Sequence, residues 1–418
     1  MPDATAAATL DIPTTPDTTR KEEKPALIGA DKQTFLVGEH IYLRPLNDDD
    51  AAAGTAWRQT VFPQSTATTE AWIEEHIAKG DAEERELFAI VRRADDRIVG
   101  SIALDYDHTL TVVLARIDPI FGAAGQAWKA EAILLVARWQ VLERHRMMVH
   151  TDLPASDAET LRALTEGGMR EIARFREAYV ADGRRVDRVV LDFPHPKWVA
   201  RLGDPLALEL PRSGTGEPRP VPAKGSLAVG ETPPPGAKLI GQRVYLRPFV
   251  KADADQAAIW EMRDPEADFS LGRGAESPAT FTRKALEEQK KGDWPTTISY
   301  MVCLRESEEP IGWVSLEDID WVARTAETAS WLFRHDLRGG GYGSEAKHLL
   351  LEHAFDHLRL HMVHSWVLFN NTRSAAALRK QGYTEAGRAT WCFPYKGSLG
   401  NMVVFDLLAD EWRALPRN

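Results

Sequence analysis

Apolar residues recur with two different periods along the C-terminal part of the chain. Partly alternating apolar and polar positions predict strands, and a spacing of three to four residues predicts helices. The predicted strands cover residues 243–249, 298–305, 309–319, 325–334, 362–369 and 401–408, and the predicted helices cover 254–263, 277–292, 343–360 and 371–382. Three consecutive strands, then a loop, a helix and another strand, indicate an α/β fold with a mixed (α+β) sheet.

The same order of elements is present twice. The segment VGEHIYLRPLNDDDA (37–51) resembles IGQRVYLRPFVKADA (240–254), and residues 131–198 align without a gap with 345–412, where 16 of 68 positions are identical. This period is far longer than that of a solenoid repeat, so we expect two tandem copies of a whole domain. The predicted division is a disordered tail at 1–30, an N-terminal domain at 31–202, a Pro/Gly-rich linker at 203–238 and a C-terminal domain at 239–418.

A glycine-rich loop, LRGGGYGSEA, lies between the strand predicted to end near Arg334 and the helix predicted to begin near Gly343. The first N–H groups of a helix have no internal partner and attract anions, and glycines let an anion approach the backbone closely. Arg338 could add a charge-assisted hydrogen bond. The loop therefore predicts a phosphate or pyrophosphate site. The spacing fits neither a P-loop nor a dinucleotide-binding fingerprint.

The sequence R-G-G-G-Y-G-S-E-A from Arg338 resembles the corresponding loop of the GCN5-related N-acetyltransferase (GNAT) superfamily. The YLRP segment at 245–248, the N-x-x-S motif at 371–374 and the Q-G-Y motif at 381–383 resemble its RimJ/RimL-type branch. The resemblance covers nearly all of residues 239–413. It implies a GNAT fold that binds acetyl-CoA or another acyl-CoA as acyl donor.

The resemblance also implies roles for individual residues. The pyrophosphate would bind the loop formed by Arg338, Gly339, Gly340, Gly341, Tyr342, Gly343 and Ser344. The pantetheine arm would pair with the strand edge at Trp331, Leu332 and Phe333, and Asn371 would help to hold the cofactor. Ser374 is the candidate general acid, with a serine in the first turn of a helix as the alternative interpretation.

The candidate general base is Glu327, which shares a strand face with Trp331 and Phe333 by the period of two. Its alternative interpretation is a solvated strand carboxylate. Glu317, Asp318 and Asp320 form an acidic group that could bind or deprotonate a cationic acceptor, although such a group is also typical of a solvated turn.

The two predicted copies are unequal at the loop. In the ungapped alignment Arg338 corresponds to Ala124, and Gly343 corresponds to Lys129. Asn371 corresponds to Asp157, which adds a negative charge beside a polyanionic ligand. We therefore expect acyl-CoA to bind productively only to the C-terminal copy. The N-terminal copy would be structural or would close one side of the acceptor pocket.

The overall charge and composition restrict the expected partners, compartment and metal content of the protein. A net charge of −11 argues against a nucleic-acid-binding surface and favours cationic partners such as amines. The two cysteines, Cys303 and Cys392, form no disulfide framework, so a reducing compartment such as the cytoplasm is expected. No apolar run is long enough to predict a membrane span. His353, His357 and His361 have a spacing that could hold zinc, but no second motif supports a metal, and none is expected.

The leading hypothesis is acyl transfer to the amine of a small molecule. The Ala/Arg-rich, lysine-poor composition suggests a GC-rich bacterium, which is weak support for specialised (natural-product) metabolism or resistance as the setting. Three alternatives are acetylation of a protein or peptide N-terminus, a non-catalytic CoA-binding scaffold, and acyl-CoA chemistry other than amine acylation.

Overall fold

The computed structural model describes residues 34–58, 64–78, 85–107, 110–204, 216–263, 277–280, 282–283, 294–395 and 398–418. The strands are β1 Leu36–Val37, β2 Ile41–Pro45, β3 Arg85–Arg92, β4 Arg97–Asp107, β5 Leu110–Ile117, β6 Met148–Pro154, β7 Arg170–Ala181, β8 Arg184–Pro194, β9 Leu239–Ile240, β10 Val244–Arg247, β11 Ile298–Leu304, β12 Pro310–Asp320, β13 Thr325–Leu332, β14 Met362–Leu368, β15 Thr384–Tyr395 and β16 Ser398–Leu408. The α-helices are α1 Gly54–Trp57, α2 Thr66–Ile73, α3 Gly122–Leu142, α4 Ala158–Glu166, α5 Pro196–Leu202, α6 Asp253–Met262, α7 Tyr342–Glu352, α8 Thr372–Lys380 and α9 Ala409–Ala414.

The strands form one mixed sheet in the order β1-β2-β3-β4-β5-β6-β8-β7-β15-β16-β14-β13-β12-β11-β10-β9. When the second eight strands are read from the outer edge, their order repeats that of the first eight. The two runs join where β7 pairs with β15 through Ala173 and Gly387. Gly387 has φ +154°, and a Cβ atom there would lie 2.4 Å from the Cα of Ala173, so the joint requires glycine.

Each run of strands has its own hydrophobic core. Ile133, Val136 and Ala137 of α3 pack into the N-terminal core, and Ala346 and Leu350 of α7 pack into the C-terminal core. A further cluster crosses the joint and brings β7 and β8 together with β14, β15 and β16. The helix Pro119–Leu142 is long and apolar enough, by length and composition, to cross a membrane. It is the helix that supplies much of the N-terminal core.

Several hydrogen bonds recur in both halves. Glu131 accepts the backbone N–H of His40 at 3.0 Å, and Glu345 accepts that of Arg243 at 2.8 Å. Glu177 and Trp391 are non-glycine residues with positive φ, and the backbone N–H of each donates to an Asp or Asn side chain ten residues later at 3.0 Å. These contacts fix each long helix on its first strands and bend the two strands that form the joint.

The segment at 216–238 is ordered by contacts with the C-terminal half rather than by its own core. Val221 is buried and donates its N–H to the Pro416 carbonyl at 2.7 Å, while Lys224 pairs with Glu352 at 2.6 Å. The predicted tail at 1–30 lies outside the described residues, as does most of the helix predicted at 277–292.

The structure confirms the mixed α/β fold that the periodicity predicts. The predicted strands at 298–305, 309–319 and 362–369 agree with the observed ones to within one residue at each end. Strand β15 at Thr384–Tyr395 is not among the predicted elements, because its glycine, bulge and central aromatic run interrupt any regular alternation. Cys392 is buried in this strand, as expected for a packing residue.

Candidate active site

The glycine-rich loop connects β13 to α7. Strand β13 ends at Leu332, two residues before the predicted end, and α7 begins at Tyr342. Gly341 is the N-cap of the helix with φ +86°, and a Cβ atom there would lie 3.1 Å from Nη2 of Arg243. No side chain caps this helix end. The geometry therefore leaves the first N–H groups of α7 directed towards an external acceptor, as an anion site requires.

A cleft of about 370 Å³ lies against this loop. Eight of the predicted cofactor residues line it: Trp331, Leu332, Arg338, Gly339, Gly341, Gly343, Ser344 and Asn371. Sequence reasoning missed three basic lining residues, Arg219, Arg373 and Lys380, which come from the linker segment and α8. With Arg338 they give the cleft four cationic side chains, a composition that suits a polyphosphate.

Three predicted cofactor residues do not line the cleft, which corrects the predicted set. Phe333 is buried in the core beside Trp331. Gly340 presents its carbonyl to Arg243 at 2.8 Å, and the guanidinium of Arg243 lies 4.6 Å from the ring of Tyr342. Gly340 and Tyr342 therefore hold the loop against the start of β10 through Arg243, and they do not face the cleft.

Arg338 also differs from its predicted role. Its Nε and Nη2 donate to the Leu332 carbonyl at 3.1 and 2.7 Å. The guanidinium thus ties the loop to the end of β13 while lining the cleft. The guanidinium supplies positive charge to the cleft, and its hydrogen bonds to the Leu332 carbonyl fix its position.

Strands β13 and β14 pair only over a short ladder, and residues of β13 beyond that ladder line the cleft. The parallel ladder holds only at Thr325–Met362, Ala326–Val363 and Glu327–His364. Just beyond it, the Thr328 hydroxyl donates to the His364 carbonyl at 3.1 Å and the Ser365 hydroxyl donates to the Thr328 carbonyl at 3.0 Å. From there to Leu332 the strand edge is available to an extended ligand.

Asn371 and Ser374 lie together on the opposite wall of the cleft. Asn371 is the N-cap of α8, and its side-chain oxygen accepts the N–H of Ser374 at 3.1 Å. Capping explains the asparagine without a ligand, but both side chains also line the cleft. Ser374 is thereby on the correct side of the sheet for the predicted general acid.

Glu327 is at the apex where the two strands separate, and it faces a second cavity of about 730 Å³. Burial, together with the negative charges of Glu317 and Asp318, raises its pKa to about 7, although Lys347 and the Trp366 N–H act in the opposite direction. Glu317 is directly opposite Glu327 in the β12–β13 ladder. Glu327 is therefore poised to exchange a proton near neutral pH.

The predicted acidic group is divided by the structure. Asp318 and Asp320 line the second cavity, and a β-bulge gives Asp318 a φ of +47°. Asp320 also accepts the N–H groups of Val322 and Ala323 at 2.8 and 2.7 Å. Glu317 is not part of the cavity lining, and it accepts the Ser315 hydroxyl at 2.5 Å. Glu317 therefore does not line the cavity in which the acceptor was predicted to bind. Its negative charge instead raises the pKa of Glu327.

Two further groups near the apex had no clear sequence signal. His364, opposite Glu327 in the ladder, is buried, and this burial lowers its pKa to about 3, so its ring is neutral. Lys347 of α7 is buried, and burial lowers its pKa to about 7. The repeated Met-Val-His motif at 148–150 and 362–364 marked His364 as part of the duplicated frame, without indicating a place beside the base.

The equivalent opening in the N-terminal half is altered. Helix α3 begins at Gly122, so residues that would correspond to the glycine loop are helical there. Lys129 forms an ion pair with Asp157 at 2.6 Å, at the positions equivalent to Gly343 and Asn371. The β5–β6 ladder places Val112 opposite His150, where the C-terminal half has Glu327 opposite His364. This half therefore lacks both the bare loop and the acidic side chain.

Replacing Gly341 with aspartate should lower acyl-CoA affinity about 100-fold, since the residue needs positive φ and a charge would repel the phosphates. Isothermal titration calorimetry with acetyl-CoA measures this effect. The matched control is Ala127→Asp, at the equivalent exposed position of α3, which should leave the affinity unchanged. Equal losses in both variants, or none in Gly341→Asp, would show that the loop is not the pyrophosphate site.

The C-terminal part of the chain is similar to known proteins. Residues 243–384 match the family model described as "Acetyltransferase (GNAT) domain". The chain is 31% identical over 101 residues to the Bacillus subtilis protein named "Putative ribosomal N-acetyltransferase YdaF", which covers 24% of this chain and 55% of that protein. It is 26% identical to "Probable N-acetyltransferase YjcK" of Bacillus subtilis, over 36% of this chain and 86% of the relative. The match therefore spans about half the length of YdaF.

Among solved structures, Mycobacterium smegmatis RimJ in complex with CoA-disulfide is 20% identical, with a TM-score of 0.38, over 41% of this chain and 85% of RimJ.

In the part of the chain that the structure describes, no group of three or more His, Cys, Asp or Glu side chains is arranged to hold a metal ion. His361 pairs instead with Glu177 at 2.6 Å.

Proposed function

We propose that this chain, whose residues 243–384 form a GNAT acetyltransferase domain, transfers an acyl group from acyl-CoA to the amine of a small molecule. The observation that carries the proposal is the position of Glu327. Glu327 is the last residue of the β13–β14 ladder and lines the second cavity, while Ser330, Trp331 and Leu332 of the same strand line the cationic cleft. A carboxylate with a pKa of about 7 at such a junction suits a general base.

In this mechanism acyl-CoA binds with its pyrophosphate at the start of α7 and its pantetheine along Trp331 and Leu332. The amine enters from the second cavity, and Glu327 takes its proton directly or through water. The nitrogen then forms the new C–N bond while the C–S bond breaks. A backbone N–H at the free strand edge stabilises the charge on the carbonyl oxygen. Ser374 or solvent returns a proton to the CoA thiolate, which leaves as the thiol.

We further propose that the chain is a tandem duplication with one acyl-CoA site. The repeated strand order and the shared Glu131 and Glu345 contacts support the duplication. The Lys129–Asp157 ion pair and the longer α3 support the loss of the N-terminal site. The N-terminal half then serves as a wall of the acceptor cavity, which also contains residues of β5, β6, β7 and β8.

The enclosing wall favours a small acceptor. The cavity of about 730 Å³ is within the usual range for small-molecule sites. A protein N-terminus is the second candidate, because the relative YdaF is named as a ribosomal N-acetyltransferase. Assays with amine and peptide panels distinguish these acceptors: faster turnover of small amines supports the proposal, and faster turnover of a ribosomal-protein N-terminal peptide supports the alternative.

Native mass spectrometry with acetyl-CoA and longer acyl-CoAs should show one acyl-CoA per chain. The physical reason is that, of the two equivalent helices α3 and α7, α7 begins at a bare glycine loop and α3 does not. The Gly341→Asp variant should show none. Two acyl-CoA molecules per chain would contradict the single-site proposal, and no binding by the wild-type chain would favour a scaffold without acyl-CoA chemistry.

A further inference from the structure

The basic side chains that line the second cavity come from one half of the chain, whereas acidic side chains come from both halves, because Asp105 and Asp152 of the N-terminal half also line it. Among the described residues, all lysines and arginines of the lining come from the N-terminal half: Arg116, Lys129 and Arg188. The C-terminal half contributes acidic side chains around the candidate base, Asp318, Asp320 and Glu327, and no lysine or arginine. A ligand that spans the cavity therefore meets negative charge at one end and guanidinium groups at the other.

Arg188 is held in a fixed position on the N-terminal wall. Its Nη2 donates to Asp152 at 2.9 Å, and the other oxygen of Asp152 accepts the hydroxyl of Tyr179. The guanidinium carbon lies 5.5 Å from the centre of the Phe175 ring. Both oxygens of Asp152 are therefore already occupied, and the arginine is oriented by contacts within its own half.

One donor of Arg188 is left unpaired. Its Nε is buried and has no hydrogen-bond partner among the described residues. A buried donor of a charged group is costly to leave unpaired, so such an atom at a cavity wall indicates a ligand acceptor. The planar guanidinium matches the two oxygens of a carboxylate or phosphate through parallel hydrogen bonds.

The field at Arg188 also reaches across the cavity. Burial alone would lower the pKa of Arg188, but the negative charges of Asp152 and Asp318 and the hydrogen bond to Asp152 raise it above its ordinary value. Asp318 belongs to the C-terminal half and also raises the pKa of Glu327. Arg188 and Glu327 line the same cavity, and Asp318 on the C-terminal wall acts electrostatically on both.

We propose that the acceptor is dipolar: its amino group lies at Glu327, and it carries a carboxylate or phosphate that binds Arg188 of the N-terminal half. This inference rests on the proposed acyl transfer and adds the acceptor class. It also gives the N-terminal half a direct part in specificity. Arg188 is then a specificity-determining residue, because it binds the end of the acceptor that does not react.

The test uses pairs of amines that differ by the anionic group. L-Phenylalanine is compared with 2-phenylethylamine, L-lysine with cadaverine, and phosphoethanolamine with ethanolamine, by following CoA release from acetyl-CoA. The wild-type chain and Arg188→Met are assayed on each pair. The ratio of kcat/KM within a pair depends on amine basicity, but this factor cancels when the two enzymes are compared. The carboxylate and phosphate pairs distinguish the two anions.

The preference for the anionic member of at least one pair should fall about 10- to 100-fold in Arg188→Met, as expected for hydrogen bonds to a charged group. Activity on the member of the pair that lacks the anionic group should persist. Arg188→Lys should keep part of the preference. The double variant Asp152→Asn/Arg188→Met, which leaves no unpaired carboxylate, should repeat the loss. Acyl-CoA stoichiometry and Tm identify any variant that has unfolded.

An unchanged preference ratio in folded Arg188→Met would overturn this inference and leave the proposed function standing. Faster turnover, in every pair, of the amine without the anionic group by the wild-type chain would do the same. If the wild-type chain binds acyl-CoA but acetylates none of the six amines, the result counts against the proposed function, and the dipolar acceptor is rejected with it.

Discussion

Replacing Glu327 with glutamine should lower kcat/KM for acyl transfer about 100- to 10,000-fold at pH 8, the range expected when a general base is removed. The amide has nearly the same shape but cannot accept the proton of the amine. Acyl-CoA affinity should be unchanged, because Glu327 faces the second cavity and is not part of the cleft lining. Steady-state kinetics and calorimetry with acetyl-CoA measure the two effects separately.

The pH dependence provides a second signature of this residue. The base is active when ionised, and its pKa is raised to about 7. Activity of the wild-type chain should therefore rise with pH through a midpoint near 7 and fall about tenfold per unit below it. Glu327→Gln should lose this limb. A wild-type profile that is flat between pH 5 and 8, or one that persists in the variant, would exclude Glu327 as the base.

Glu317→Gln is the matched control. It removes a negative charge opposite Glu327, and Glu317 is not part of the cavity lining. Because that charge helps to raise the pKa of Glu327, the pH limb should move below 7 while activity on the plateau is retained. A loss of plateau activity as large as that of Glu327→Gln would mean that Glu317 has a chemical role of its own.

Glu327 should also cost stability above neutral pH. A folded-state pKa above the ordinary value means that folding favours the protonated carboxyl, so its favourable contribution is complete below about pH 4.5 and is lost as pH rises through 7. Glu327→Gln should therefore have a higher Tm than the wild-type chain at pH 8 and a similar Tm at pH 4.5. This combination of lost activity and gained stability is typical of a strained functional carboxylate.

The sequence predicts well those parts of the site that depend on neighbouring residues. The 3.6-residue period of α7, the glycines before it and the cap at Asn371 are local patterns, and the structure places all of them around one cleft. The period of two predicts that Glu327 shares a strand face with Trp331 and Phe333, and Glu327 lines the second cavity. Local signals suffice here because backbone geometry alone determines these contacts.

Contacts between the halves could not be predicted in this way. Arg188 and Glu327 line one cavity although they are far apart in sequence, and no periodicity relates them. The loss of the N-terminal loop was visible as Lys129 and Asp157, but their 2.6 Å ion pair depends on how α3 packs against α4. The buried position of Lys347 likewise follows from helix docking, because a lysine within an amphipathic pattern is ordinarily assigned to the solvent face.

The joint between the halves has a similar long-range origin. Asp192 pairs with Arg170 of its own half at 2.8 Å. The equivalent Asp406 has Thr384 at the position of that arginine, and it pairs instead with Arg176 of the N-terminal half at 2.6 Å. The sequence shows that Thr384 stands where the arginine would be, but it does not show that Arg176 becomes the partner of Asp406. Asp192 therefore pairs within its own half, whereas Asp406 takes part in an ion pair that connects the two halves.

Replacing Arg176 with alanine should reduce the free energy of unfolding by about 3 kcal/mol, because it leaves a buried carboxylate without its cation. Asp406 is 1% exposed, and Arg176 also binds Glu411 through two further N–H groups. The backbone N–H of residue 176 still donates to Asp406 in the variant, which limits the loss. Urea denaturation followed by tryptophan fluorescence measures the change.

Arg174→Ala is the control for this prediction. Arg174 has the same charge two residues earlier, but its side chain is 41% exposed and pairs with Glu171 and Asp187 within its own half. Its removal should cost about 1 kcal/mol or less, as for exposed ion pairs. Equal losses in the two variants would show that the joint adds nothing beyond a surface ion pair.

The same substitution tests whether the joint matters for function. The second cavity has walls from both halves, whereas the described residues that line the acyl-CoA cleft all come from positions 219–381. Loosening the joint should therefore raise KM for the amine while leaving acyl-CoA affinity unchanged. Asp406→Asn/Arg176→Ala should recover part of the stability, because no buried charge remains unpaired, but it should not recover KM. A normal KM in Arg176→Ala would mean that the N-terminal half is a passive scaffold and that the acceptor is held by the C-terminal half alone.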